Sequence, residues 1–273
     1  MTVEKITAED LIAALDLPGD CRVDQRVNKK LLIEHATPNA SDKRQIIEGI
    51  AQIDWLAALK PNTIGVPEYR DDVRDYLEIA VLCVTLKADA DVQAKPARLA
   101  ELIHRAIPYP MLLLLKLDEK TQQGKQQNLM LSRAHKRLAL NEADKVLLDG
   151  DVVAVALPGD ACTQAVNDDF LQALALRRQP QATLYALYQG WMDSLLALQA
   201  ARLSGAFQLA DSPEHAAARR AALRQCSDLQ TRINSLRLAV VKEKQMARQV
   251  AINLDINKLN DQLLATISTM VQQ

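Results

Sequence analysis

From Ser212 to Gln273 the chain contains no Gly, and its one Pro is Pro213. Ser212 can cap a helix by accepting from an orphan backbone N–H, and Pro213 suits the first helical position. Glu214 complements the positive end of the dipole. An unbroken helix from there would span roughly 90 Å at 1.5 Å per residue. No small domain buries such a rod, so it must lie against a neighbouring helix, a second copy or a partner. Its apolar spacing agrees. Ala222, Cys226, Leu229, Ile233, Leu236 and Val240 alternate steps of four and three, the narrow stripe of a coiled-coil seam. Glu243 breaks that seam, and Ala247, Val250 and Leu254 resume it. A shifted stripe runs through Ile252, Ile256, Leu259, Leu263 and Met270, with Ile267 beside it. The offset near Val250–Leu254 rotates the apolar face, so the two halves face different neighbours. Leu236 and Val240 are expected in the tightest part of the interface.

Composition narrows the class. The chain has 273 residues, 49% hydrophobic and 25% charged, as in a globular protein, and a net charge of −1. No overall pull toward nucleic acid or an anionic membrane follows. The charge is unevenly placed, however. Residues 212–250 hold eight Lys/Arg against three acids, so the rest carries −6. A basic helix half can meet phosphates or an acidic protein, or serve only as a solvated face. With 3% aromatics, base-stacking surfaces are disfavoured. No signal pattern opens the chain and no apolar run spans a bilayer, so no membrane role and a cytoplasmic location are expected. Cys21, Cys83, Cys162 and Cys226 lack metal spacing and read as buried small residues.

Residues 1–158 read as an α+β domain and 159–273 as a helical hairpin with a long C-terminal helix, divided at Pro158-Gly159-Asp160. Thr7 caps a short helix that Pro18-Gly19 ends. Val23–Ile33 reads as a strand or irregular arm. Ser41 opens a second helix, with Ile46, Ile47, Ile50, Ile53, Trp55 and Leu56 on one face, and Lys60-Pro61 stops it. Strands are expected at Thr63–Val66, Asp75–Lys87, Met111–Leu117, Asn128–His135 and Val152–Leu157. A polar turn around Gly124 joins the third and fourth of these. Pro96–Ala106 is the one clear helical crossover, which predicts a mixed, mostly antiparallel sheet with flanking helices. Val166–Arg178 and a helix opened by Pro180 follow. Gly205 ends the latter, and the chain returns into the long final helix.

No dinucleotide fingerprint, phosphate loop, H-E-x-x-H or nucleophile elbow occurs, and no metal or cofactor is implied. Asp118-Glu119-Lys120 has the residue types of a metal-dependent nuclease, yet crowded into an expected turn rather than spaced on two strands. His35, His104, His135 and His215 show no ligand spacing. Arg133, Lys136 and Arg137 form a sharper candidate, since a basic strand end can donate to phosphates. Lys242, Lys244 and Arg248 offer a second basic contact.

Four segments, in order, carry a likeness. They are Arg26-Val27-Asn28-Lys29-Lys30; Ile53-Asp54-Trp55-Leu56-Ala57-Ala58-Leu59-Lys60-Pro61 followed by Thr63-Ile64; Ala106-Ile107-Pro108-Tyr109-Pro110; and Val241-Lys242-Glu243-Lys244-Gln245 with Arg248 and Asn253. Together they resemble the bacterial family known as domain of unknown function 4391. The resemblance carries over no catalytic residues. It implies a setting beside helicases and DNA methyltransferases in restriction-like, anti-phage gene clusters, an association rather than a mechanism.

Three functions compete. The first is a non-catalytic accessory subunit or homo-oligomer. It would bridge to a helicase or methyltransferase through the seam Leu229, Ile233, Leu236, Val240, Val250 and Leu254. The second is a nucleic-acid-binding module using the two basic groups, and the third is a divergent nuclease. The long apolar stripe favours the first.

Overall fold

The structure is a computed structural model. It describes residues 6–35, 38–87, 95–121, 124–139, 142, 145–157 and 163–272. The chain forms two compact units, 1–160 with 167–195 and 161–166 with 196–273.

In the first unit, α1 (Ala8–Ala14) is opened by a reciprocal cap. Thr7 Oγ1 accepts from Asp10 N at 3.1 Å, and the Asp10 carboxylate accepts from Thr7 N at 2.8 Å. β1 (Arg22–Arg26) and α2 (Lys30–His35) occupy the segment expected as a strand or arm. α3 (Ala40–Arg44) starts where Ser41 suggested, but it ends early. One wide helical turn over Gln45–Gly49 leads into β2 (Ile50–Leu59). The expected helical face of Ile50, Ile53, Trp55 and Leu56 is therefore a strand. β2 carries apolar residues to both faces of the sheet, Ile53 and Trp55 to the α5 core and Leu56 toward Leu11, and such a run does not declare its period. Thr63–Val66 is likewise not a strand. α4 (Pro61–Ile64) has Pro at its first position and Gly65 in the left-handed region (φ 71°) at its end.

A two-stranded ribbon, β3 (Tyr69–Arg70) with β4 (Asp75–Tyr76), precedes β5 (Ile79–Leu86). Then come α5 (Pro96–Ala106), β6 (Met111–Thr121), β7 (Gly124–Leu138) and β8 (Val146–Leu157). The six-stranded sheet has the order β1-β2-β5-β6-β7-β8. β5 and β6 are parallel, joined by the α5 crossover, and the other pairs are antiparallel. Asp118, Glu119 and Lys120 belong to β6 and pair with Gln127, Gln126 and Lys125 rather than forming a turn. Their side chains lie outside the described residues.

Alternation sends Ala80, Leu82, Val84, Met111, Leu113 and Leu115 into one core with Leu99, Leu102 and Ile103 of α5. Val81, Leu112 and Leu114 face the other way, toward Leu11 of α1 and Leu15 at its end. α6 (Gln164–Ala173) and α7 (Leu184–Ser204) follow, and the division between the units falls inside α7.

The second unit corrects the long rod. α8 (Pro213–Lys242) stops at Glu243, and the chain turns back into α9 (Met246–Gln272), packed on α8 as a hairpin. Glu243 makes this turn. Its backbone N–H still closes α8 on Ala239 O at 3.0 Å. Its carboxylate accepts from Lys244 N at 2.8 Å and Gln245 N at 2.9 Å, as a cap residue would. Leu229 and Ile233 meet Ile256 and Leu259, flanked by half-buried Leu236, Val240, Ile252 and Leu263. The tightest point is Ile233, not Leu236 or Val240. The shifted stripe is the second wall, whereas Val250 and Leu254 are 54% and 56% exposed and stand outside the seam.

Truncation should reproduce this division. Ile233→Ala should cost about 2–5 kcal/mol in denaturant unfolding, and Leu254→Ala less than about 0.5 kcal/mol. Equal costs would contradict the placement of the seam.

Candidate functional site

The run Arg133–Arg137 lies on β7, and the structure turns most of it inward. Arg133 is 0% exposed and Lys136 3%, so neither reaches a phosphate at the surface. The register of β7 on β8 slips between Arg133 and His135, a bulge that leaves the Ala134 N–H without a strand partner. Tyr188 of α7 supplies one. Its hydroxyl accepts from Ala134 N at 3.0 Å and donates to Met111 O at 2.8 Å. Alternation along the strand sends neighbouring side chains to opposite faces. On the α7 side, Arg133 donates to the Trp191 carbonyl and lies over the Trp191 ring, 5.4 Å from its centroid. Its Nε and Nη2 are buried without a partner, and burial lowers its pKa to about 9. His135 joins a chain there. Tyr76 Oη donates to His135 Nδ1 (2.6 Å), His135 Nε2 to Gln189 Oε1 (2.9 Å), and Gln189 Nε2 to Asp193 Oδ1 (2.8 Å).

On the α5 side, His104 Nε2 meets Ser132 Oγ at 3.0 Å. Lys136 Nζ donates to the His104 carbonyl and, at 2.9 Å, to Ile107 O, capping the negative end of α5. Burial pushes Lys136 down to about 7, and burial followed by the Lys136 charge holds His104 well below the ordinary histidine range. These groups fasten helices to the sheet. They present no nucleophile to solvent.

Arg137 alone of the three points into a groove. The groove is a half-open cavity of about 920 Å³ between α5 and β8. Arg98 grips Asp42 through Nε (3.0 Å) and Nη2 (2.6 Å) and reaches Glu101 at 2.7 Å, and Arg105 meets Glu101 at 2.5 Å. The Arg98 bonds hold the Asp42 carboxyl below its usual range. The sequence reading missed this network. Its trace was there in Arg98, Glu101 and Arg105, spaced three and four apart on the polar face of the crossover helix.

The third feature is the hairpin tip. Lys242, Lys244 and Arg248 are exposed there, as expected. Beside them Val241 is 83% exposed, and Leu238, Met246, Val250 and Leu254 are exposed as well. Of the expected site residues, Arg137 is the one in the groove's described lining.

The description "Domain of unknown function (DUF4391)" fits residues 15–263. The chain belongs to this family. No curated protein and no solved structure matches it. Three of the four DUF4391 segments quoted above sit at turns or element ends, and the fourth is mostly strand β2. Lys29 Nζ donates to Ile47 O (3.2 Å) and Ile50 O (2.7 Å), closing the wide turn before β2. The Ile107 carbonyl receives Lys136, and Glu243 makes the hairpin turn. Among the described residues, no group of three or more His, Cys, Asp or Glu is placed to hold a metal ion. No described helix is long and apolar enough to cross a membrane. Cys21, Cys83 and Cys226 are buried, and Cys162 lies outside the described residues.

The buried bases set a pH dependence. Lys136 has a folded pKa near 7 against 10.5 for the free side chain, so the unfolded chain binds more protons between those values. Stability should therefore rise from pH 7 to 9 and be lost as pH falls, with His104 extending the loss below pH 6.5. Melting temperature against pH should show this rise, and Lys136→Met should flatten it. An unchanged slope in the variant would contradict the assignment.

Proposed function

We propose that this DUF4391 protein is a non-catalytic accessory subunit of a bacterial anti-phage or restriction-like DNA-processing complex. In this reading it bridges to a helicase or DNA methyltransferase through the C-terminal helices. The observation that carries it is the hairpin tip. Five large apolar side chains, Leu238, Val241, Met246, Val250 and Leu254, stand exposed within seventeen residues. Isolated exposed apolar residues need no explanation, but a concentration at the tip of a helical hairpin fits a protein contact. Arg237, Lys242, Lys244 and Arg248 surround them, while Glu243 is occupied in the turn. The complementary surface is acidic with an apolar centre.

A second reading, direct nucleic-acid contact, rests on the same exposed Lys242, Lys244 and Arg248. It has lost Arg133 and Lys136 to the interior, so its footprint shrinks to the hairpin and Arg137. The nuclease reading gains no support from any described residue.

Co-expression with a helicase or methyltransferase subunit encoded beside the gene should recover a complex. Val241→Asp with Met246→Asp should weaken it at least tenfold and leave the melting temperature within about 2 °C, since both side chains already face water. Retention of the complex by this variant would remove the tip from the interface. If duplex or single-stranded DNA binds tightly and Lys244→Glu abolishes it, the second reading replaces the first.

A further inference from the structure

The groove between α5 and β8 has walls of different chemistry. The α5 wall presents Arg98, Glu101 and Arg105, and the β8 wall presents half-exposed Val146, Leu148 and Val152. Its charges are mostly satisfied already. Asp42 and Glu101 are held by Arg98 and Arg105, Lys145 reaches Glu142 at 2.8 Å, and Asp151 is partnered as well. Arg137 is the exception. Among the described residues its guanidinium makes one long contact, 3.5 Å to the carbonyl of its own neighbour Leu138, and meets no carboxylate. Among the described lining residues Arg137 is therefore the cation without an acidic partner.

One unpaired guanidinium selects among anions. A polyphosphate would be repelled by Asp42, Glu101 and Asp151, which line the same space. One carboxylate on an apolar body satisfies Arg137 in bidentate fashion and covers the valines and leucine opposite. The shape narrows the choice further. The β8 wall runs from Val146 to Ala154, roughly 25 Å at about 3.3 Å per residue, and the cavity is open along its side. An open channel of that length suits an extended chain better than a compact molecule, which pockets usually enclose. We propose that this groove receives the apolar C-terminal tail of a partner polypeptide, with the terminal carboxylate held by Arg137.

The test uses the full-length protein and a fluorescein-labelled hexapeptide of Val, Leu and Ala with a free C-terminus. The free acid should raise anisotropy saturably, and its C-terminal amide should bind at least tenfold more weakly. Arg137→Ala should lose at least tenfold, Arg137→Lys less, and Lys244→Glu on the hairpin nothing. Val152→Trp, which fills the channel while leaving Arg137 intact, should also block binding, and thermal melts confirm that each variant is folded. Equal binding of acid and amide, no binding of the acid, or full binding by Arg137→Ala would overturn the proposal. Octanoate binding as tightly as the peptide, with the same dependence on Arg137, would assign the groove to a small apolar acid and overturn the tail.

Discussion

One straight helix can offer one apolar seam to one neighbour, and the last sixty residues carry two. At about 100° per residue, the stripe Leu229–Val240 and the stripe Ile252–Leu263 differ by about 140° around a common axis. A continuous rod would need a different partner for each half. The chain instead reverses at Glu243-Lys244-Gln245 and lets the stripes bury each other. The reversal uses neither Gly nor Pro. Lys, Glu and Gln are good helix formers, so nothing local demands a break. Tertiary burial decides it, and the Glu243 carboxylate supplies the acceptors that the two new backbone N–H groups require. The outer faces at the turn keep the leftover apolar residues, and from these the proposed docking follows.

The first unit meets a different constraint, the bulge at Ala134. The irregularity leaves the Ala134 N–H to Tyr188, while ordinary strand alternation turns Ser132 and Lys136 toward α5 and Arg133 and His135 toward α7. A basic run that would otherwise be a strand surface becomes an internal tie on two sides. Arg133 stays buried without a carboxylate, a costly arrangement that the Trp191 carbonyl and ring offset only in part. Arg137 lies past the last of these ties, in the groove, and this position separates its role from that of its neighbours.

Much of this was legible before the structure. The cap at Thr7, the crossover Pro96–Ala106, the mostly antiparallel sheet and the start at Pro213 follow from local chemistry that tertiary packing does not override. The helix expected through Ile53 and Leu56 failed because a strand buried on both faces has no alternation to read. The rod failed because the two stripes were visible while the sign of their relation was not. An offset seam permits either two partners or one reversal. The inward turn of Arg133 and Lys136 depends on β7 being covered by α7 on one face and α5 on the other, which no residue type announces. The groove assembles Asp42, Arg98 and Arg137 from distant segments, so spacing along the chain showed only its Arg98, Glu101 and Arg105 part.

The account rests on the reversal at Glu243, and a distance measures it directly. Spin labels at exposed Ser227 and Asp261, in a chain whose native cysteines are replaced by serine or alanine, sit at equal height on the two helices. Packed helix axes are about 8–10 Å apart, so pulsed dipolar spectroscopy should report a label separation of roughly 15–25 Å. A separation near 50 Å, the rise of a continuous helix over the same residues, would contradict the hairpin and the tip built on it.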